Sequence, residues 1–149
     1  MKKQPVFILT GAPASGKTSV AKALLSRFSY GIHIPVDEVR GMVVSGLSNP
    51  IGSWDKETDR QFRLARDSAA LIAKTYARAG FAVVIDDVIF PPQITHHYEK
   101  ILATFEVYKV LLRPTLAVTI SRNAARQMDA DNVLLEKVIE PIYDHFASF

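Results

Sequence analysis

Residues 11–18 read GAPASGKT and follow directly on an apolar run, Val6-Phe7-Ile8-Leu9. The octet fits G-x-x-x-x-G-K-[ST] at every fixed position. A loop of small residues can turn successive backbone N–H groups inward around an anion. Gly11 and Gly16 permit backbone angles and close approaches that a side chain would block. A lysine at position 17 can reach the β- and γ-phosphates, and the Thr18 hydroxyl can ligate Mg²⁺. The helical pattern that follows (Val20, Ala21, Leu24, Leu25, Phe28) brings the positive end of a helix dipole to the same anion. Gly11, Ala12, Pro13, Ala14, Ser15, Gly16, Lys17 and Thr18 are therefore predicted to hold the phosphates of a nucleotide, after a first buried strand.

The remaining chain alternates short apolar runs with helical patterns. The first helix is predicted over Gly16–Phe28, a strand over His33–Val36, and a short helix from Asp37 to about Val44. Ser45–Ser53 is rich in Gly, Pro and Ser, and long enough to be a mobile cover over a site. Phe62, Ala65, Ala69, Ile72, Tyr76 and Ala79 fall at spacings of three and four, which predicts a helix over Trp54–Ala79, stopped by Gly80. A strand at Ala82–Ile85, a helix over Pro92–Thr104, a strand at Val107–Leu112 and helices over Thr115–Gln127 and Asn132–Phe146 complete the order, with a break at Met128–Asp131. Strands separated by helices mean βαβ units, hence an α/β domain with a parallel sheet of four strands. The length of 149 residues fits one domain, and 48% apolar residues suffice for its core.

Composition removes several classes of function. There are no cysteines, so there is no disulfide framework, thiolate metal site or thiol nucleophile. The MKKQPVFILTG start imitates a secretory leader, but its apolar run is short and feeds into the phosphate loop, so it reads as a strand. No apolar stretch approaches membrane-spanning length, and a cytoplasmic protein is expected. A net charge of +3 suits an anionic ligand and argues against a nucleic-acid-binding surface.

In a parallel sheet of this kind, ligands sit outside the carboxyl ends of the strands. Those ends deliver Asp37, the pair Asp86-Asp87, and Arg113 beside the phosphate loop. Asp37 is a candidate acceptor for the proton of an attacking hydroxyl; the alternative is a plain helix cap. Arg40, three residues on, could hold a substrate anion. Asp86 is the first candidate to share Mg²⁺ with Thr18, while Asp87 could bind substrate, cap a turn or share the metal. Arg122 and Arg126, four apart, could close over a triphosphate or form a solvated basic face. Arg60, Arg63 and Arg66 carry less weight as site residues. His33 and His145 read as structural, His96-His97 as a poor metal pair, and Trp54 as a residue for either substrate or core.

GAPASGKT, IPVDEVR, AGFAVVIDDV and the Arg122/Arg126 pair together resemble small phosphate-loop (P-loop) kinases of the chloramphenicol phosphotransferase, zeta-toxin-like and gluconate-kinase-like group. The 5′-kinase domain of polynucleotide kinases is similar. The resemblance implies the three-layer α/β/α P-loop NTPase fold, with ATP and Mg²⁺. It implies that Lys17, Asp37, Arg122 and Arg126 carry the transfer, Asp37 acting on the acceptor hydroxyl and the two arginines on phosphates. A small hydroxyl-bearing acceptor is expected; a nucleic-acid 5′ end, or nucleotide binding without transfer, are the alternatives. Such kinases usually have a fifth strand, whose following loop helps hold adenine. No such strand is predicted before Phe149. The unpaired sheet edge this leaves is a motive for self-association.

Overall fold

A computed structural model describes residues 4–51, 53–126 and 136–149. The order is β1 (Val6–Thr10), α1 (Lys17–Leu25), β2 (Gly31–Pro35), α2 (Val36–Gly41), α3 (Lys56–Arg78), β3 (Ala82–Asp86) and α4 (Pro91–Ile94). A π-turn (Thr95–Glu99) then leads through α5 (Lys100–Leu102) to β4 (Val107–Leu111), α6 (Leu116–Ala125) and α7 (Glu136–Phe146). The predicted break at 128–131 and the start of the last helix fall outside the described residues.

The four strands form one parallel sheet in the order β2-β3-β1-β4. Strand residues alternate between its two faces. Val6, Ile8, Val83 and Ile85 enter an apolar cluster with the Ala65, Ala69, Ala73 and Ala77 stripe of α3. Leu9 and Val84 enter a second cluster with Ala21, Leu24 and Leu25 of α1. Helices on both faces explain why the strands read as continuous apolar runs rather than as an alternation. The alanine stripe lets α3 lie close to the sheet. The result is an α/β/α sandwich with β1 and β3 at its centre, as the sequence predicts.

Element boundaries differ in physically informative ways. The long helix starts at Lys56, not Trp54, because the Asp55 side chain caps it by accepting from the Thr58 N–H at 2.7 Å. Trp54 stays outside, stacked on Phe62 at 5.0 Å between ring centres. Asp37 does not cap α2: the cap position is Pro35, and Asp37 lies in the first helical turn. Its carboxylate is therefore not spent on a backbone N–H. The helix predicted over Pro92–Thr104 carries a π-turn in its middle, which places Tyr98 in the core.

Candidate active site

The phosphate loop is built as its sequence demands. Gly11 has φ +150°, and a Cβ there would run into the Leu112 carbonyl oxygen. Gly16 has φ +95°, and a Cβ there would lie 3.1 Å from Arg122 Nη1. The loop opens into α1, whose first residue is Lys17. Lys17 is buried, with Nζ donating to the Gly11 and Ala12 carbonyls at 3.0 Å each. Desolvation pulls its pKa below the ordinary lysine value, and the charges of Asp86, Asp37 and Asp87 oppose that shift. A buried ammonium whose hydrogen bonds among the described residues go to neutral carbonyls is well placed to turn toward an entering phosphate.

β3 delivers Asp86 beside the loop. The Thr18 hydroxyl donates to Asp86 Oδ2 at 3.1 Å. His33 Nε2 lies 3.0 Å from the same oxygen. His33 is in register with Val84, so on the adjacent strand it sits diagonal to Asp86. A hydroxyl and a carboxylate held together at a phosphate loop form a hard-oxygen donor set that fits Mg²⁺, which takes one or two protein oxygens and completes its shell with phosphate and water. Thr18 and Asp86 are the residues that would hold it. No group of three or more His, Cys, Asp or Glu residues suited to a metal occurs among the described residues, His96 and His97 included.

Asp87 is placed differently from Asp86. It is buried, and Arg66 Nε donates to Oδ2 at 2.8 Å while the Tyr98 hydroxyl donates to the same oxygen at 2.8 Å. Arg66 Nη2 also reaches the Val88 carbonyl at 3.2 Å. Burial and the Asp87 charge push the Tyr98 hydroxyl well above its ordinary pKa, so it remains a donor. Thr10 fixes the same segment, its hydroxyl donating to the Ile89 carbonyl and accepting from the Ile89 N–H. These bonds fix the chain leaving β3 and thereby the direction of Asp86.

Asp37 stands on the other side, solvent-exposed at the start of α2. Its pKa is raised, first by desolvation and then by the Asp87 charge, while Arg40 and Lys17 pull it back. No hydrogen bond or ion pair within 4 Å engages this carboxylate among the described residues. Arg40 lies with its guanidinium carbon 4.6 Å from the Phe62 ring centre and donates to the Ser48 carbonyl at 2.8 Å.

Arg122 of α6 also reaches the loop, and Arg126 follows at the cap of that helix. Arg122 Nη1 donates to the Ser15 carbonyl at 3.1 Å. Arg122 and Arg126, with Ser15, Gly16, Ser19 and Val20, line a cavity of about 330 Å³ beside α1. Arg113 instead lies over the Tyr143 ring of α7, 5.9 Å from its centre.

With this geometry in view, the chloramphenicol phosphotransferase-like protein family matches residues 4–136. The chain belongs to that family. It is accordingly an enzyme, a P-loop phosphotransferase with the kinase fold. A sequence comparison with curated proteins gives no match.

Solved structures with similar folds share little sequence with this family member. The APS kinase CysC of Mycobacterium tuberculosis, solved with AMPPNP and APS, superposes with a TM-score of 0.63 at 17% identity, over 86% of this chain and 72% of that one. A gluconokinase from Sinorhizobium meliloti 1021 gives 0.63 at 13% identity, over 97% and 75%. A chain of the Pnkp1/Rnl/Hen1 RNA repair complex gives 0.73 at 15% identity, over 99% of this chain and 45% of that one.

Four residues that the fold brings beside the candidate site carry no site signal of their own in the sequence. There His33 reads as structural, Arg66 carries little weight, Phe62 belongs to the buried face of the long helix, and Tyr98 has no mark at all. Arg66 did leave a trace: it is a charged residue on the face of α3 that carries Phe62, Ala65 and Ala69.

Proposed function

We propose that this chain moves the γ-phosphoryl group of ATP to a hydroxyl group of a small molecule, with Mg²⁺ held by Thr18 and Asp86. The observation that carries the reading is the Asp37 carboxylate, which no described residue engages by hydrogen bond or ion pair and which is electrostatically coupled to Asp87, Arg40, Lys17 and Asp86. In the transfer, the acceptor oxygen forms a bond to the γ-phosphorus, the bond to the β-bridging oxygen breaks, and Asp37 takes the hydroxyl proton. The metal ion, when bound, neutralises phosphate charge. Lys17 leaves the Gly11 and Ala12 carbonyls for the phosphates. Arg122 and Arg126 close on the transferred group from α6, and Arg40 lines the acceptor side. Asp87 acts in this reading through Arg66 and Tyr98, holding Asp86 in place rather than touching substrate.

The test compares wild type with Asp37→Ala for phosphate transfer to a library of hydroxylated metabolites and for nucleotide affinity. Transfer is expected to vanish in the variant while nucleotide affinity changes little. Full turnover by Asp37→Ala would remove Asp37 from the chemistry.

A second reading, a nucleic-acid 5′-end kinase, draws support from the fold likeness to the RNA-repair chain. Its assay is phosphate transfer to a 5′-hydroxyl oligonucleotide across a salt series, where steep salt dependence is expected of a backbone-tracking site. Self-association through the β4 edge is also part of the proposal, and sedimentation at two protein concentrations tests it.

A further inference from the structure

Lys17, Arg40 and Arg66 are committed to different degrees. Lys17 donates to two loop carbonyls and belongs to the phosphates. Arg66 is committed through Nε and Nη2 to Asp87, with Nη2 also on the Val88 carbonyl. Arg40 is different: Nη1 donates to the Ser48 carbonyl, and no carboxylate of the described residues lies within ion-pair distance of its guanidinium. Its Nε is shut off from solvent and has no hydrogen-bond partner. A buried N–H without an acceptor is a costly arrangement that native structures rarely keep without reason.

The surroundings hold Arg40 ready rather than locked. Its guanidinium lies flat enough on Phe62 for a cation–π contact, and Arg66 lies against the same ring at 5.3 Å. The Ser48 segment does not depend on Arg40 for its place. Gln61 accepts from the Ser48 N–H at 2.9 Å and donates to the Gly46 carbonyl at 2.7 Å, and the Ser48 and Thr58 hydroxyls bond at 2.5 Å. Arg40 can therefore release the Ser48 carbonyl to water without the loop letting go of α3. Turning it out would bring the unsatisfied Nε, with Nη2 beside it, toward Asp37, one helical turn earlier.

We infer that the acceptor is a hydroxyl compound that also carries an oxyanion, a carboxylate or phosphoryl-type group, and that Arg40 binds this oxyanion through two parallel N–H···O bonds on its Nε–Nη2 edge. The inference rests on the proposed phosphotransferase reading. A guanidinium edge matches two side-by-side oxygens in a way a lysine ammonium does not. The oxyanion anchors the acceptor, and its hydroxyl faces Asp37 and the γ-phosphate.

Two measurements test it. In the first, glycolate, glycerate, gluconate, 4-(hydroxymethyl)benzoate and glycerol 2-phosphate are assayed as acceptors beside their uncharged amides or parent alcohols, with ATP and Mg²⁺. The anionic member of a pair is expected to be the better substrate. Arg40→Ala should lower kcat/KM for it by roughly 100-fold, mainly through KM, as for loss of a hydrogen-bonded charge partner. For the uncharged member the loss on Arg40→Ala should be much smaller than for the anionic one, and Arg40→Lys should restore only part of the loss. In the second, the Arg40 Nε–H resonance, assigned by its absence in Arg40→Lys, should shift with the acids and not with the amides, whether or not transfer occurs. Equal use of charged and uncharged acceptors, or an Nε–H signal blind to every acid, overturns the inference and leaves the phosphotransferase reading standing. Absence of phosphate on every acceptor, with nucleotide bound, overturns that reading and the inference with it.

Discussion

Thr18 Oγ1 donates to Asp86 Oδ2 at 3.1 Å, tying the first turn of α1 to the carboxyl end of β3. The two residues are 68 positions apart in sequence. The pairing gives the phosphate loop a hydroxyl and a carboxylate that would suit a metal–nucleotide complex. Asp86→Asn removes the charged oxygen and should abolish most of the gain in ATP affinity that Mg²⁺ confers. His33→Ala, which removes an outer partner of the same carboxylate, should weaken Mg²⁺ binding by roughly 10–100-fold. Calorimetric titration with ATP, with and without Mg²⁺, measures both. An unchanged Mg²⁺ dependence in Asp86→Asn would disprove the assignment.

In the proposed reaction Asp37 sets the acid limb of activity. Desolvation and the Asp87 charge raise its pKa, so it takes up a proton at higher pH than an ordinary carboxylate. A proton acceptor must be ionised, so kcat should fall on acidification at a higher pH than an unperturbed aspartate would give. The linkage sign is the opposite for stability. With the folded pKa above the unfolded one, the favourable contribution is present below the unfolded value and lost as pH rises through the folded value. Asp37→Asn should therefore be more heat-stable than wild type at neutral pH and lose that advantage in acid. Thermal unfolding at the two pH values checks this, and a less stable Asp37→Asn at neutral pH would contradict it.

Arg66 and Asp87 form a buried ion pair, with side chains 8% and 2% exposed. Truncating Arg66 to Ala leaves a buried carboxylate with Tyr98 as its remaining side-chain donor, and should cost about 3–5 kcal/mol. Tyr98→Phe removes one hydrogen bond to a charged group and should cost about 1.5–3 kcal/mol. Urea unfolding gives both values. The reverse order would mean that Arg66 is not the main support of Asp87.

Gly16→Ala faces two penalties, a positive φ of 95° and a Cβ placed 3.1 Å from Arg122 Nη1. Arg122→Ala removes only the second. A double-mutant cycle on nucleotide affinity should therefore give a coupling of about 0.5–3 kcal/mol. Strict additivity would show that Arg122 does not press on the loop when nucleotide is bound.

Much of the fold was legible because it is written in local patterns. Four apolar runs separated by helical periodicities require a parallel sheet with helices on both faces, and such runs need no tertiary information to be seen. The phosphate loop was legible for a related reason: its glycines, lysine and threonine lie on consecutive backbone, so their spacing is their geometry. Asp37 and Asp86 were legible as strand-end residues, because a parallel sheet sends every strand's carboxyl end to one rim. The cap assigned to Asp55 and the free state of Asp37 were not, since a shift of one residue in the helix start decides which carboxylate the backbone uses.

The sequence by itself determined the layered α/β architecture, the phosphate cradle and the rim on which acidic residues collect. Tertiary structure decided how each of those residues is used. Asp86 and Asp87 are neighbours in a strand-end pair for which the sequence ranks Asp86 first for the metal but leaves the part of Asp87 open. Successive residues face opposite ways there, so one meets Thr18 and His33 and the other meets Arg66 and Tyr98. Arg66 and Arg40 lie against the same Phe62 ring, yet Arg66 is consumed by a buried carboxylate and Arg40 keeps a buried Nε–H without an acceptor, partners that the sequence does not show. Those distinctions arise where α2, α3 and β3 converge. They depend on strand order and helix rotation, which set partners tens of residues apart and leave no local mark on the chain.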